Sequence, residues 1–308
     1  MPPEIPVCLS PDRNPRKPDI LLPEGSVDTH IHIFEPAYDF TLDRGYTPPE
    51  ATLEQLRDMH DAIGVDRVVF TQPSVYGTDN AAMMDGVDKL NAQAPGTARA
   101  VVSCNADITD PEIEAFDARG ARGLRFNMDN AGGMSVTVAD LPALAERIAP
   151  FGWHMEFLFA GSELVNLVPV FADLPVPVSI AHFAYQTVPA GGVEADGFQL
   201  MLDMVKDGNT WIKISGANRV SASGMPPFDD VKPMAEALIS ANEHRIVWGT
   251  DWPHPNIFDE VVNDADLVNA LGDWISDETL RRKVLSAQGV ATVRPSLIAH
   301  RKVASSTI

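Results

Sequence analysis

Ser26-Val-Asp-Thr-His-Ile-His-Ile-Phe34 carries the β-branched and aromatic residues of a buried strand at Val27, Ile31, Ile33 and Phe34. Within it, His30 and His32 stand two apart. Strand side chains alternate faces, so residues i and i+2 project from one face. The stretch can therefore present two imidazoles to one point, which suits a metal ion or one polarised oxygen. Taken alone, the pair reads equally well as chance histidines on a half-exposed strand. The remainder of the chain decides between the two.

Downstream, strand and helix patterns alternate. The spacing of Leu53, Leu56, Met59 and Ile63 predicts a helix with Thr52 as N-cap and Gly64 as its stop. Further strands are expected over 65–72, 98–104, 123–127, 153–159, 177–183, 210–215 and 245–251. Helices are expected to end near Gln93 and to cover 110–119, 141–149, 163–172, 197–206 and 231–241. Eight strands alternating with helical segments, without a domain-sized break, predict an α/β fold, a single-domain (β/α)8 TIM barrel over 24–290. The rival is a doubly wound open sheet, but the glycine-rich phosphate loop that usually follows its first strand is missing. Residues 1–23, with Pro2, Pro3, Pro6, Pro11, Pro15 and Pro18, read as an extended arm on the barrel surface, and 291–308 as a loosely held tail.

The 308 residues are 45% hydrophobic, which supports a large core. A net charge of −20 argues against nucleic acid or an anionic membrane as partner. It leaves room for a small anionic substrate, because a local arginine cluster can override the average field. The two cysteines, Cys8 and Cys104, lie far apart in unlike contexts, so no disulfide is expected and a reducing cytosol fits. No apolar run reaches membrane-spanning length, and the N-terminus lacks the apolar centre of a signal peptide.

Functional side chains of such barrels gather at the C-terminal ends of the strands. Those ends supply His30 and His32, then Gln72 with Ser74, Asn105, Arg125 with Asn127, and Glu156. They continue with His182, then Ser215, Asn218 and Arg219, and finally Asp251 with His254 close behind. Three histidines and an aspartate thus converge on one mouth. They are either the ligands of a divalent metal or a set that polarises a carbonyl while Asp251 acts as base. Glu156 precedes its strand end and is either a further metal ligand or the partner of an internal cation. Arg125 and Arg219 either bridge carboxylates or meet an anionic substrate. His60, His244 and His300 read as surface residues, His154 as a strand start, and Cys104 as core.

Val27-Asp-Thr-His-Ile-His32, Gly123-Leu-Arg-Phe-Asn127, Ile180-Ala-His-Phe183 and Val247-Trp-Gly-Thr-Asp-Trp-Pro-His-Pro-Asn256 resemble the amidohydrolase superfamily. Within it they look most like the 2-pyrone-4,6-dicarboxylate lactonase group, with sulfomuconolactone hydrolases and galactarolactone isomerases as relatives. The resemblance runs from about Leu22 to Ser286. It implies a catalytic set of His30, His32, His182 and Asp251, with Tyr46, Ser74, Arg125 and Arg219 where the lactonases hold substrate carboxylates. Asn127 and His254 are expected to join them at the substrate. Two departures stand out: Phe126 to Gly133 lacks a further basic residue found in the dicarboxylate lactonases, and Phe-Ala-Tyr-Gln186 follows His182 without an arginine. The Gly132-Gly133 loop resembles that of the sugar-lactone isomerases, but Asp251 is kept here, which favours hydrolysis. Members of the group divide between metal-free and zinc-holding forms.

The expected protein is a cytosolic hydrolase opening a small anionic lactone in aromatic-acid breakdown. Its expected cofactor is zinc or another divalent metal on His30, His32, His182, Asp251 and Glu156, with no organic cofactor. A sugar-lactone isomerase or decarboxylase on the same scaffold, and a non-catalytic acid-binding protein, are the alternatives. Association into a homo-oligomer is left open.

Overall fold

Thr52 opens the first helix with a capping box: its side chain accepts from the Gln55 amide while that of Gln55 accepts from the Thr52 amide, and Gly64 ends the helix at φ 83°. Thr109 and Glu112, with Gly120 at φ 111°, bracket the third helix in the same way. The computed structural model describes residues 4–130 and 136–287. Its helices are α1 Leu53–Ile63, α2 Ala81–Gln93, α3 Asp110–Arg119, α4 Leu141–Ile148, α5 Leu164–Ala172 and α6 Asp196–Asp207. They continue with a short α7 Ala217–Val220, then α8 Lys232–Asn242, α9 Asp264–Trp274 and α10 Glu278–Arg282. Gly132-Gly133, His300 and the 291–308 tail lie outside the described residues.

The strands are β1 Val27–Ile31, β2 Arg67–Thr71, β3 Ala98–Val102, β4 Ala121–Asn127, β5 His154–Leu158, β6 Val178–Ile180, β7 Thr210–Lys213 and β8 Ile246–Val247. They pair in parallel in the order β1 to β8, the arrangement of a (β/α)8 barrel and not of a doubly wound sheet. Aromatic side chains such as Phe126, Phe157 and Phe171, with centroids 5.1 and 4.5 Å apart along the chain of contacts, pack the strands against the outer helices.

Strand β8 is two residues long, far shorter than the 245–251 run suggests. The segment after it nevertheless closes the barrel onto β1. Thr29 N donates to Trp248 O (3.1 Å), Asp251 N to His30 O (2.9 Å) and His32 N to Trp252 O (2.8 Å). Buried Asp28 fastens the same seam. Its Oδ1 accepts from the His30 amide (3.2 Å) and the Thr250 amide (3.0 Å). Its Oδ2 accepts from the Thr250 hydroxyl (2.5 Å) and faces His60 Nε2 at 3.2 Å. His60 is therefore a buried partner of this carboxylate and not a surface residue.

Gly249 sits inside the seam, where a Cβ would lie 2.7 Å from His30 N. The obstacle is backbone and cannot swing aside. Gly249→Ala is expected to destabilise the protein by about 1–3 kcal/mol and to reduce activity, because the strain falls on His30 itself. Thermal melting that left Tm unchanged would show that the seam has slack.

Within the described part of the N-terminal arm the chain is extended and tied to the barrel. Cys8 N bonds to Thr47 O (2.9 Å), Leu9 N to Ile257 O (3.0 Å), and Arg16 pairs with Asp266 (2.6 Å). Cys8 and Cys104 are both buried and free. Burial pushes the Cys104 thiol up to about 12, which fits its core reading. No helix among the described residues is long and apolar enough to cross a membrane.

Candidate active site

His30 lies on β1 and His32 just past it; a register shift interrupts the ladder between Asp28 and Ile31. Their rings meet edge to face, with centroids 5.0 Å apart. His182 follows β6 rather than ending it, and its ring centroid is 4.5 Å from that of His30. Asp251, at φ 66°, follows β8 on the backbone that binds β1. Its Oδ1 lies 3.8 Å from His30 Nε2, 3.7 Å from His32 Nε2 and 3.4 Å from His182 Nε2. All four side chains are buried. Three imidazoles, from two distant parts of the chain, thus surround one oxygen of Asp251.

Burial holds the imidazoles neutral. His30, His32 and His182 titrate well below the ordinary histidine value, first because they are desolvated and then because Lys213, Arg125 and Arg219 crowd them. His32 Nδ1 contacts Thr71 O at 2.6 Å, and a carbonyl only accepts, so that nitrogen carries the hydrogen. The Nε2 aimed at Asp251 is then a lone pair. Lone pair faces carboxylate at 3.7 Å, a separation near the donor–donor spacing of a tetrahedral site with bonds of about 2.0–2.2 Å. His30, His32 and Asp251 offer ligand atoms within 4.8 Å of one another, so this cluster can hold a metal ion. His182 stands beside this three-residue cluster, with Nε2 3.4 Å from Asp251 Oδ1 and Nδ1 2.9 Å from Ser215 Oγ.

Burial also pushes the Asp251 carboxyl above its ordinary value, against the opposing pull of Arg219. Arg219, on α7, donates from Nε to Asp251 Oδ2 (2.5 Å) and from NH2 to Pro255 O (2.8 Å). Oδ1 therefore faces the histidines while Oδ2 faces a guanidinium.

Glu156 does not present itself as a ligand. Arg125 and Glu156 are register partners across β4 and β5, and Arg125 NH1 donates to Oε1 at 2.8 Å. Lys213 Nζ, from β7, lies 2.6 Å from Oε2. Both carboxylate oxygens are thus taken by cations beneath His30, whose Nδ1 is 3.4 Å from Oε1 and 3.3 Å from Lys213 Nζ. This is the arrangement of the internal-cation alternative for Glu156. His254 is buried, its Nε2 faces Asp264 Oδ1 at 3.2 Å, and it is not part of the cleft lining among the described residues. Its imidazole anchors the loop after β8 to α9.

The cleft above the cluster is lined by Tyr46, Ser74, Arg125, Asn127 and Arg219, together with Tyr185. The first five were expected at the substrate. Tyr185 was not, nor was Lys213 in the site. Lys213 had a signal: a single charge in the otherwise apolar Thr210-Trp-Ile-Lys-Ile214 strand, two residues from Ser215. Gly216, at φ 66°, marks the turn that brings α7 over His182; a Cβ there would sit 3.0 Å from His182 Nδ1.

The fold is thus a parallel eight-stranded barrel with paired histidines at its first strand, a histidine after the sixth and an aspartate after the eighth, and its His30, His32 and Asp251 could hold a metal ion. The family profile described as "Amidohydrolase" matches residues 27–287, and the chain belongs to that family. It is 32% identical over 286 residues to the 4-sulfomuconolactone hydrolase of Hydrogenophaga intermedia, covering 91% of this chain and 92% of that one. It is 34% identical over 282 residues to the 2-pyrone-4,6-dicarboxylate hydrolase of Comamonas testosteroni, covering 88% and 91%. Among solved structures, a putative 2-pyrone-4,6-dicarboxylic acid hydrolase of Pseudomonas putida superposes with a TM-score of 0.76 at 26% identity, covering 88% and 98%.

Proposed function

We propose that this protein hydrolyses a small acidic lactone, of muconolactone or pyrone type, in the breakdown of aromatic acids. The observation that carries the reading is Asp251: a buried carboxylate ringed by three imidazole nitrogens, in a chain akin to named lactone hydrolases. His30, His32, His182 and Asp251 would hold a divalent cation, and zinc suits this nitrogen and oxygen donor set. When bound, it would act as a Lewis acid on the lactone carbonyl.

Asp251 takes a proton from water as the water oxygen attacks the carbonyl carbon. The ring C–O bond breaks, and the leaving alkoxide recovers that proton from Asp251. The product is a hydroxy acid whose new carboxyl ionises at neutral pH, so each turnover releases one proton. Arg219 keeps Asp251 oriented, and Arg125, whose Nε has no partner among the described residues, is available to the substrate's acid group. Tyr46 and Ser74 supply hydroxyls to the same cleft.

A pH-indicator assay against acidic lactones tests the reading, since isomerisation and binding release no proton. Arg125→Met is expected to raise KM for an acidic lactone by roughly tenfold or more relative to a neutral one. An equal change on both substrates would make Arg125 purely a partner of Glu156. Protein purified without added metal is expected to contain about one equivalent of a divalent ion, and chelation is expected to abolish activity. Metal content below a tenth of an equivalent, by rough count, with full turnover would remove the cation from the scheme.

A further inference from the structure

We infer that the groove behind Tyr185 is a second substrate subsite, taking an uncharged apolar substituent of a lactone that carries one anionic group. The inference rests on the lactone reading and specifies its substrate class. Tyr185 lines both the catalytic cleft and this groove, so the two spaces share a wall. The wall is fixed to the catalytic cluster. His182, Phe183, Ala184 and Tyr185 run at φ 52, 53, 53 and 47°, a left-handed turn of non-glycine residues. Such a turn persists only where surrounding packing enforces it. It lays the Tyr185 ring on that of His182, with centroids 5.7 Å apart and planes at 14°.

With Arg219 drawn onto Asp251, the cleft itself offers only about 20 Å³, whereas the groove offers about 530 Å³. The larger figure falls within the usual range of small-molecule sites. Ala160, Val165, Ala190, Ala195 and Leu200 give the groove apolar walls. A methyl group on Gly197 would run into the Gly161 carbonyl, so α6 and the loop after β5 meet backbone to backbone in a rigid floor. The only charged lining residue is Asp196, and no cation lines the groove among the described residues.

Charge therefore divides the two spaces. An anionic group in the groove would meet Asp196 unopposed, while an alkyl group would simply leave water. In the cleft, Arg125 and Arg219 are each already committed to a carboxylate, Glu156 and Asp251. Arg125 Nε, which has no partner among the described residues, is left for one substrate anion.

The test uses the full-length protein with a monoanionic lactone and its butyl derivatives, one for each ring carbon in turn. The best butyl isomer is expected to exceed the parent in kcat/KM by at least tenfold. Ala160→Phe and Leu200→Trp are expected to bring that ratio back toward one, and Leu200→Met to preserve it. Two variants keep the test alive if one fails to fold. Should the parent lactone be opened while every butyl isomer stays within twofold of it, or should the gain survive in both filled grooves, the subsite is refuted and the hydrolase reading stands. If neither parent nor derivatives are opened, both fail.

Discussion

Asp251→Asn is expected to lower kcat by roughly 10³-fold, the scale of a lost general base. The substitution keeps the size of the side chain and an acceptor for Arg219, whose Nε lies 2.5 Å from Oδ2. What it removes is the capacity to take a proton. It also removes a negative charge from among three neutral imidazoles, so metal content is expected to fall with activity. Arg219 loses its ionic partner in a buried setting, a change that costs about 3–5 kcal/mol when no acceptor remains and less with the asparagine oxygen present. Proton-release kinetics and thermal melting on the same preparation separate the two effects. A folded variant keeping more than a tenth of kcat would remove Asp251 from the base role.

Glu156→Leu is expected to produce the largest loss of stability, about 3–5 kcal/mol, because it strands two buried cations beneath His30. Arg125 NH1 lies 2.8 Å and Lys213 Nζ 2.6 Å from the carboxylate, and all three side chains are at most 4% exposed. Burial alone would raise the Glu156 pKa, but Lys213 and Arg125 outweigh it and hold the carboxyl below its ordinary value. The sign follows from that depression. Its stabilisation is fully present above the unfolded carboxylate pKa of about 4.3 and is lost as pH falls through the lower folded value. Glu156→Leu is therefore expected to flatten this limb of the stability–pH curve as well as to lower Tm. A Tm within error of the parent would mean that water or rearranged neighbours compensate the cations.

Element existence was legible because local chemistry decides it. Thr52 and Gly64 are caps that work without knowledge of the fold, and Thr109 with Glu112 and Gly120 bracket α3 by the same local chemistry. Strand length was less legible. Arg245 to Asp251 looks like one strand, yet only Ile246–Val247 enter the ladder, because Asp28 draws Thr250 across to β1 and the chain turns at Asp251.

His30, His32, His182 and Asp251 could be found because strand ends of a barrel share one mouth. The partners of Glu156 and His254 were less legible, for a related reason. Position along a strand places a side chain near the mouth, but its partner comes from another element: Lys213 from β7 for Glu156, Asp264 from α9 for His254. The burial of His60 was open to reading, since it stands four residues after Leu56 and three before Ile63 on the buried face of α1, whereas its partner Asp28 comes from β1.

The central claim is that water, and not an internal proton shuffle, is the second reactant. Incubating the protein with an acidic lactone in ¹⁸O-enriched water, followed by mass spectrometry of the product, tests it most directly. The account predicts a hydroxy acid carrying one ¹⁸O in its new carboxyl group, with one proton released per molecule. An isomerised lactone of unchanged mass and no proton release would contradict it.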